Sequence, residues 1–229
     1  MRWSVIIENL PQLLEGAWLT IELVVISGVL GLLIAVPMAM ARVSRQVTVR
    51  LLPWLYIYFF RGTPLLVQIF LVYYGFGQFE AVRDSFLWPV LSEAYWCAII
   101  AFTLNTSAYT AEILRGAIQS VPGGEVEAAR ALGMSRRVTW RRIILPRAFR
   151  IGLPAYSNEV ILMLKGSALA STITLLDLTG MARTIIAVTY TPLEIFFAAG
   201  VLYVIITFII VSGFHFLERR LARHTRPGS

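Results

Sequence analysis

The sequence predicts an all-α integral membrane protein of five transmembrane helices, with the N-terminus out and the C-terminus in. Three observations carry that prediction. Of 229 residues, 58% are hydrophobic and 14% charged, with a mean hydropathy of +0.73. A soluble domain carries about 25% charged residues, so much of this surface must face lipid. The apolar residues gather into runs that suit bilayer-crossing helices, each of which needs about 20 residues. The Lys and Arg residues fall unequally between the connections.

The spans are expected at residues 17–41, 52–79, 94–115, 151–176 and 195–217, all in a single transmembrane domain over 1–229. Residues 1–16 lack the charged start, continuous apolar core and small-residue cleavage site of a signal peptide, so the first span is expected to be retained. That span is entered through Thr20 and Glu22 and followed by Arg42, Arg45 and Arg50. The second is rich in Trp54, Tyr56, Tyr58, Phe59 and Phe60 before Arg61-Gly62-Thr63-Pro64 interrupts it. Aromatics favour the membrane interface and Arg is costly at its centre, so this reads as an interfacial segment and a short, broken span. One long tilted helix is the alternative. Residues 80–93 carry mixed charge with Pro89 and read as an outer loop.

The third span ends with Glu112 and Arg115, three residues apart and close enough on a helix to pair. The fourth is interrupted by Pro154, Asn158, Glu159, Lys165 and Gly166, and polar, irregular spans usually line something. Residues 177–194, with Pro192, read as an external segment before a charge-free fifth span. Putting the first, third and last connections inside places three, eight and four of the 20 Lys and Arg there. Only Arg2, Arg83 and Arg183 then lie outside, which sets the orientation by the positive-inside rule.

The large basic loop over 116–150 contains EAARALGMSRRVTWRRIILP. Glu127-Ala128-Ala129 and Ala131-Leu132-Gly133 predict a short helix ending at glycine, because Ala is the best helix former and Gly tolerates the left-handed cap. Glu127 is expected near its start, where the helix dipole is positive. Small side chains make this a knob that fits a groove in another protein. Ser135 is expected to cap a second helix, in which Arg136, Arg137, Arg141 and Arg142 lie beside Ile143, Ile144 and Leu145 until Pro146 breaks the run.

Several function classes fall away. The net charge of +7 and a pI near 10.0 raise nucleic acid as a partner, but the charges sit in connections between apolar runs. The single lysine, Lys165, has no glycine frame before it, so a phosphate-cradling loop is missing and any ATP motor must be another polypeptide. His215 and His224 are isolated at the cytoplasmic end, without metal-ligand spacing, and no serine, histidine and acid arrangement points to hydrolysis. Cys97, the only cysteine, reads as a small buried hydrophobe.

The order Glu127-Ala128-Ala129, three residues, Gly133, nine residues, Ile143-x-Leu145-Pro146 resembles the EAA loop of permease subunits in ABC importers. Arg61-Gly62-Thr63-Pro64-Leu65-Leu66-Val67-Gln68, residues 105–112 (NTSAYTAE) and 158–165 (NEVILMLK) are similar to the polar amino acid permeases, most closely the M-type subunit of histidine, arginine and opine importers. The resemblance covers nearly the whole chain. It implies the type I ABC importer permease fold in a bacterial inner membrane, importing polar, basic amino acids or opines. It further implies ATPase coupling through Glu127, Ala128, Ala129, Arg130, Ala131, Leu132 and Gly133. The implied partners are two ATP-binding subunits holding ATP and Mg, a second, similar permease subunit with a heterodimer favoured, and a periplasmic amino acid-binding protein. No cofactor is expected in this chain.

Charges in lipid usually face a cavity or a partner, which makes Glu159 and Lys165 the first candidates for a substrate path. Six residues apart, they point roughly 120° from one another around a helix. Glu159, with Asn158, Asn105 and Thr106, is a candidate to meet a cationic amino acid; helix-to-helix hydrogen bonding is the plainer alternative. Arg61, also a path candidate, reads with Thr63 and Gln68 chiefly as a helix break and interfacial anchor. Lys165 would repel a cation unless neutralised, which keeps a zwitterionic or opine-type substrate open. An ion-coupled symporter or channel for small polar solutes would use Glu159 and Lys165 as a relay, but leaves the spacing of the basic loop without a purpose.

Overall fold

Helix α1 (Trp3–Arg42) is the axis on which the rest is assembled. A computed structural model describes residues 3–222, and among these every regular element is helical; Arg2, Arg223, His224 and Arg226 lie outside the described residues. At about 1.5 Å per residue, the 40 residues of α1 span roughly 60 Å, twice the hydrocarbon thickness, so the helix extends well beyond the expected 17–41. Its buried stripe is largely small: Gly16, Ala17, Thr20, Ser27, Gly28, Gly31, Ala35 and Ala39. Small residues allow close helix approach where lipid supplies no hydrophobic drive. Along this stripe α1 packs on α6 (Ala94–Gln119), whose inner face carries Cys97, Ala98, Ala101, Phe102, Ser107, Ala108 and Ala111. Gly31 sits at the tightest point, where a Cβ would lie 2.5 Å from Thr106 Cγ2.

Three apolar cores lie around α1. One joins its first half to α9 (Leu145–Gly166), α10 (Leu178–Thr189) and α11 (Pro192–Ala222) through Leu13, Leu164, Leu178 and Ile195. A second joins Leu23 to α6 and α3 (Leu65–Phe70) through Ile69 and Phe102. The third joins Ala35 to Ile57 of α2 (Val47–Gly62) and to Ala108 and Ala111. Outward faces stay apolar, as Phe208 and Ile209 on α11 illustrate.

Three helices, α1, α6 and α11, are long and apolar enough to cross a bilayer singly, and two bent pairs bring the number to as many as five. In the first pair the helix over Val47–Gly62 meets that over Leu65–Gln78 at 106°, which rules out one long tilted helix. Pro64 explains the break: it has no N–H and pushes the residue before it out of the helical region, so Thr63 is extended at φ −110°, ψ 144°. After α3 the chain widens into a π-turn over Leu71–Gly75, then passes two single-turn helices, α4 (Glu80–Arg83) and α5 (Trp88–Leu91).

Two expectations change, and one segment gains an element. Helix α7 (Gly123–Ala131) begins before Glu127, so Glu125 occupies its first turn and Glu127 is mid-helix, away from the dipole's positive end. Pro146 does not break the basic run. The helix that starts as α8 (Arg136–Thr139) widens into a π-turn over Trp140–Ile144 and continues as α9, so Pro146 lies inside a longer helix, directly after the widened turn that accommodates its missing N–H. Residues 177–194, expected as an external segment with no element assigned, hold a packed helix. α10 follows a 48° bend and buries Leu178, Ala182 and Ile185 against α1 and α11. Asp177, fully buried, caps it by accepting from Thr179 N at 3.1 Å and Gly180 N at 3.3 Å.

Candidate translocation path and docking loop

Glu159 lies on the inner face of α9, 7% exposed, and its Oε1 accepts from Thr106 Oγ1 of α6 at 3.2 Å. Gly152, seven residues before Glu159 and on the same side, keeps α9 thin there, and a Cβ on it would lie 3.2 Å from Ala117 Cβ of α6. Glu159 borders a cavity of about 420 Å3 whose other walls include Arg61, Thr63, Phe102, Asn105 and Tyr109. One anion and one cation therefore face the same space, and a ligand carrying both charges fits such a pair. The Arg61 guanidinium lies 5.2 Å from the Tyr109 ring centroid, a cation–π contact that holds it toward α6. Arg61, Thr63 and Tyr109 also border a larger groove of about 810 Å3 that reaches Arg42 and Glu112.

The bend between α2 and α3 supports this site. Gln68, 3% exposed, donates through Nε2 to Phe60 O at 2.9 Å, Thr63 O at 3.1 Å and Thr63 Oγ1 at 2.8 Å, satisfying carbonyls the break leaves open. Its Oε1 accepts from Asn105 Nδ2 at 2.9 Å, so Asn105 is committed to the bend. Asn158 and Lys165 do not join the group: both are exposed on α9 and neither borders the cavity.

At the far end of α6, Glu112 receives two arginines, Arg115 Nη2 at 2.8 Å and Arg42 Nε at 3.3 Å. The helical spacing identifies the first; the second is missed because it arrives from α1, seventy positions earlier. Gln68 sits at the helix break where the sequence reading puts it with Thr63; its bond to Asn105 of α6 is what that reading misses. No signal in the sequence marks Asp177 as buried.

The basic loop builds a projecting knob. Gly133 adopts φ +73°, and the bonds Gly133 N to Arg130 O (2.9 Å) and Met134 N to Ala129 O (3.0 Å) close α7 as a Schellman motif. Ala129 is buried, while Glu127, Ala128, Arg130, Ala131 and Gly133 are exposed and Leu132 is 82% exposed. Ser135 Oγ accepts from Val138 N at 3.4 Å, capping α8. Beneath the knob, Glu125 Oε1 pairs with Arg147 Nε at 3.3 Å and fastens α7 to the start of α9.

An all-helical membrane protein with a polar cavity between its helices and a projecting basic loop defines the class of a transport permease. Residues 27–223 match the family described as binding-protein-dependent transport system inner membrane component, and the chain belongs to that family as a permease subunit. Among its relatives, the octopine transport system permease protein OccM of Rhizobium radiobacter is 52% identical over 92% of this chain and 86% of its own length. The histidine/lysine/arginine/ornithine transport system permease protein HisM of Escherichia coli K12 is 47% identical over 93% of this chain and 90% of its own. A crystal structure of an amino acid ABC transporter with histidines superposes with a TM-score of 0.85 at 34% identity, covering 96% of this chain and 99% of that one. The MetNI methionine ABC transporter, at 19% identity and a TM-score of 0.78 over 94% of this chain and 99% of that one, shares the fold.

Proposed function

We propose that this chain forms one half of the membrane path of an ATP-driven importer for basic amino acids or opines in a bacterial inner membrane. The observation that carries the reading is the pairing of buried Glu159 with Arg61 across one cavity, in a chain about half identical to permeases named for octopine and for histidine, lysine, arginine and ornithine. Glu159 meets the substrate's cationic group and Arg61 a carboxylate; Thr106 orients Glu159. Lys165 and Asn158 face a neighbouring subunit, the second permease of a heterodimer. Five spans run with the N-terminus out and the C-terminus in, the bent pairs each counting as one.

ATP and Mg are bound by two partner ATPase subunits, which receive the knob of Glu127, Ala128, Ala129, Arg130, Ala131, Leu132 and Gly133; a periplasmic binding protein delivers substrate. The continuous helix from Arg136 to Ile173 supports a route for the motion. From Arg147 to Glu159 it runs about 18 Å with Pro154 between them, so a tilt of the knob reaches the buried carboxylate along one helix that passes a single proline.

The test is uptake of labelled arginine, histidine and octopine by proteoliposomes holding the assembled importer. ATP-dependent uptake that is lost in Glu159→Gln and in Gly133→Asp is expected. Uptake indifferent to ATP overturns the importer reading, and uptake unchanged in Glu159→Gln overturns the role of that carboxylate.

A further inference from the structure

Where α1 hands over to α2, a cleft of about 400 Å3, adjoining the larger groove at Arg42 and Trp54, brings together Arg42, Arg50 and Arg115 from three different helices, beside Val47 and Leu51. Arg42 and Arg115 share one carboxylate, Glu112, and Arg115 Nη1 also donates to Gln119 Oε1 at 2.6 Å, which fixes its guanidinium at the rim. The exposed Arg50 side chain has no ion pair or hydrogen bond among the described residues. Three cations against one anion leave the cleft with a surplus of positive charge. Import by Glu159 and Arg61 does not call on it.

The cleft has an apolar side. Val47, Leu51, Leu55 and Tyr58 recur at helical spacing along one exposed face of α2, and Trp54 stacks on Tyr58 with centroids 5.5 Å apart. Tryptophan and tyrosine beside arginines mark the headgroup level of a membrane protein. Guanidinium groups bind phosphate in a bidentate way, and basic pockets between helices on the cytoplasmic side hold anionic headgroups. We propose that this cleft binds the phosphate of an anionic phospholipid, with an acyl chain lying along the α2 face. Its place in the cytoplasmic leaflet rests on the orientation proposed above; the binding itself does not.

The test is native mass spectrometry of the purified, fully assembled transporter, mixed with phosphatidylglycerol or phosphatidylcholine. Retention of phosphatidylglycerol over phosphatidylcholine is expected. Arg50→Gln should lower it about fivefold, the worth of one arginine near an anionic headgroup, and Arg50→Glu on the order of twentyfold. Arg50→Lys should keep most of the binding and Arg45→Gln, which borders no part of the cleft, all of it. Because the exposed Arg50 side chain makes no hydrogen bond or ion pair among the described residues, its variants should elute from gel filtration as the native complex does. Equal retention of both lipids, or Arg50 variants that bind like the native chain, overturns the proposal. Full displacement by millimolar inorganic phosphate assigns the cleft to free phosphate instead and also overturns it. Absence of bound lipid from the assembled transporter means that another subunit covers the cleft, with the same consequence.

Discussion

Thr106 shows how much one side chain can carry: its methyl fills the space above Gly31 and its hydroxyl donates to Glu159. Thr106→Val keeps the shape and removes the donor, leaving a buried carboxylate short of a partner at a cost of about 1–3 kcal/mol. Thermal unfolding in detergent should register that loss, and uptake should fall with it. Gly31→Val attacks the same point from the other side. Its Cβ would meet Thr106 Cγ2 at 2.5 Å, and overpacking of this kind costs about 1–3 kcal/mol, so a clear fall in Tm is expected where Gly116→Val, with open space around it, should leave packing alone. Leu132→Asp is the opposite case. That side chain is 82% exposed, so Tm should hold while ATP-driven uptake collapses; a lowered Tm with intact uptake would remove the knob's role.

The α2–α3 bend depends on Gln68, which answers two backbone carbonyls, a hydroxyl and Asn105 at once. Gln68→Leu should lower stability by about 2 kcal/mol or more, since buried groups lose their partners, and should loosen Arg61 at the cavity mouth. Gln68→Glu retains an acceptor for Asn105 but donates nothing, so comparing the two variants by thermal unfolding separates the bend's donors from its acceptor. Much at this scale was legible beforehand. Pro64 announces the break, Gly133 the end of α7 and Ser135 the start of α8, because each acts through its own backbone. What stayed hidden depends on partners from afar. Helix α10 is not assigned from the sequence because Asp177, Thr179 and Arg183 are polar, although Leu178, Ala182 and Ile185 recur at helical spacing; only burial against α1 and α11 reveals which face matters. The π-turn over Trp140–Ile144 has no local signature either, and it is what lets Pro146 sit inside a continuing helix.

For the molecule as a whole, the charge distribution makes a prediction that does not depend on transport. Cys97 is fully buried, so cysteines introduced at Arg45 and Ser85 can be labelled one at a time. An impermeant maleimide added to spheroplasts should react at position 85 and not at 45; the reverse pattern would invert the orientation. Composition alone made the membrane class legible, and the positive-inside count supplies the orientation that this labelling tests. It could not reveal that all three cores share one helix. That feature bears on biogenesis. The α1 segment is synthesised before every helix it packs on, and although α2 and α3 cover Ala35 and Leu23, most of its small, partly polar stripe stays uncovered until α6, and later α9 to α11, have entered the bilayer. Helix α1 therefore waits in lipid for the chain behind it, and a nascent protein halted before residue 94 would hold it with the surface meant for α6 and α9 to α11 bare, ready for capture by quality control.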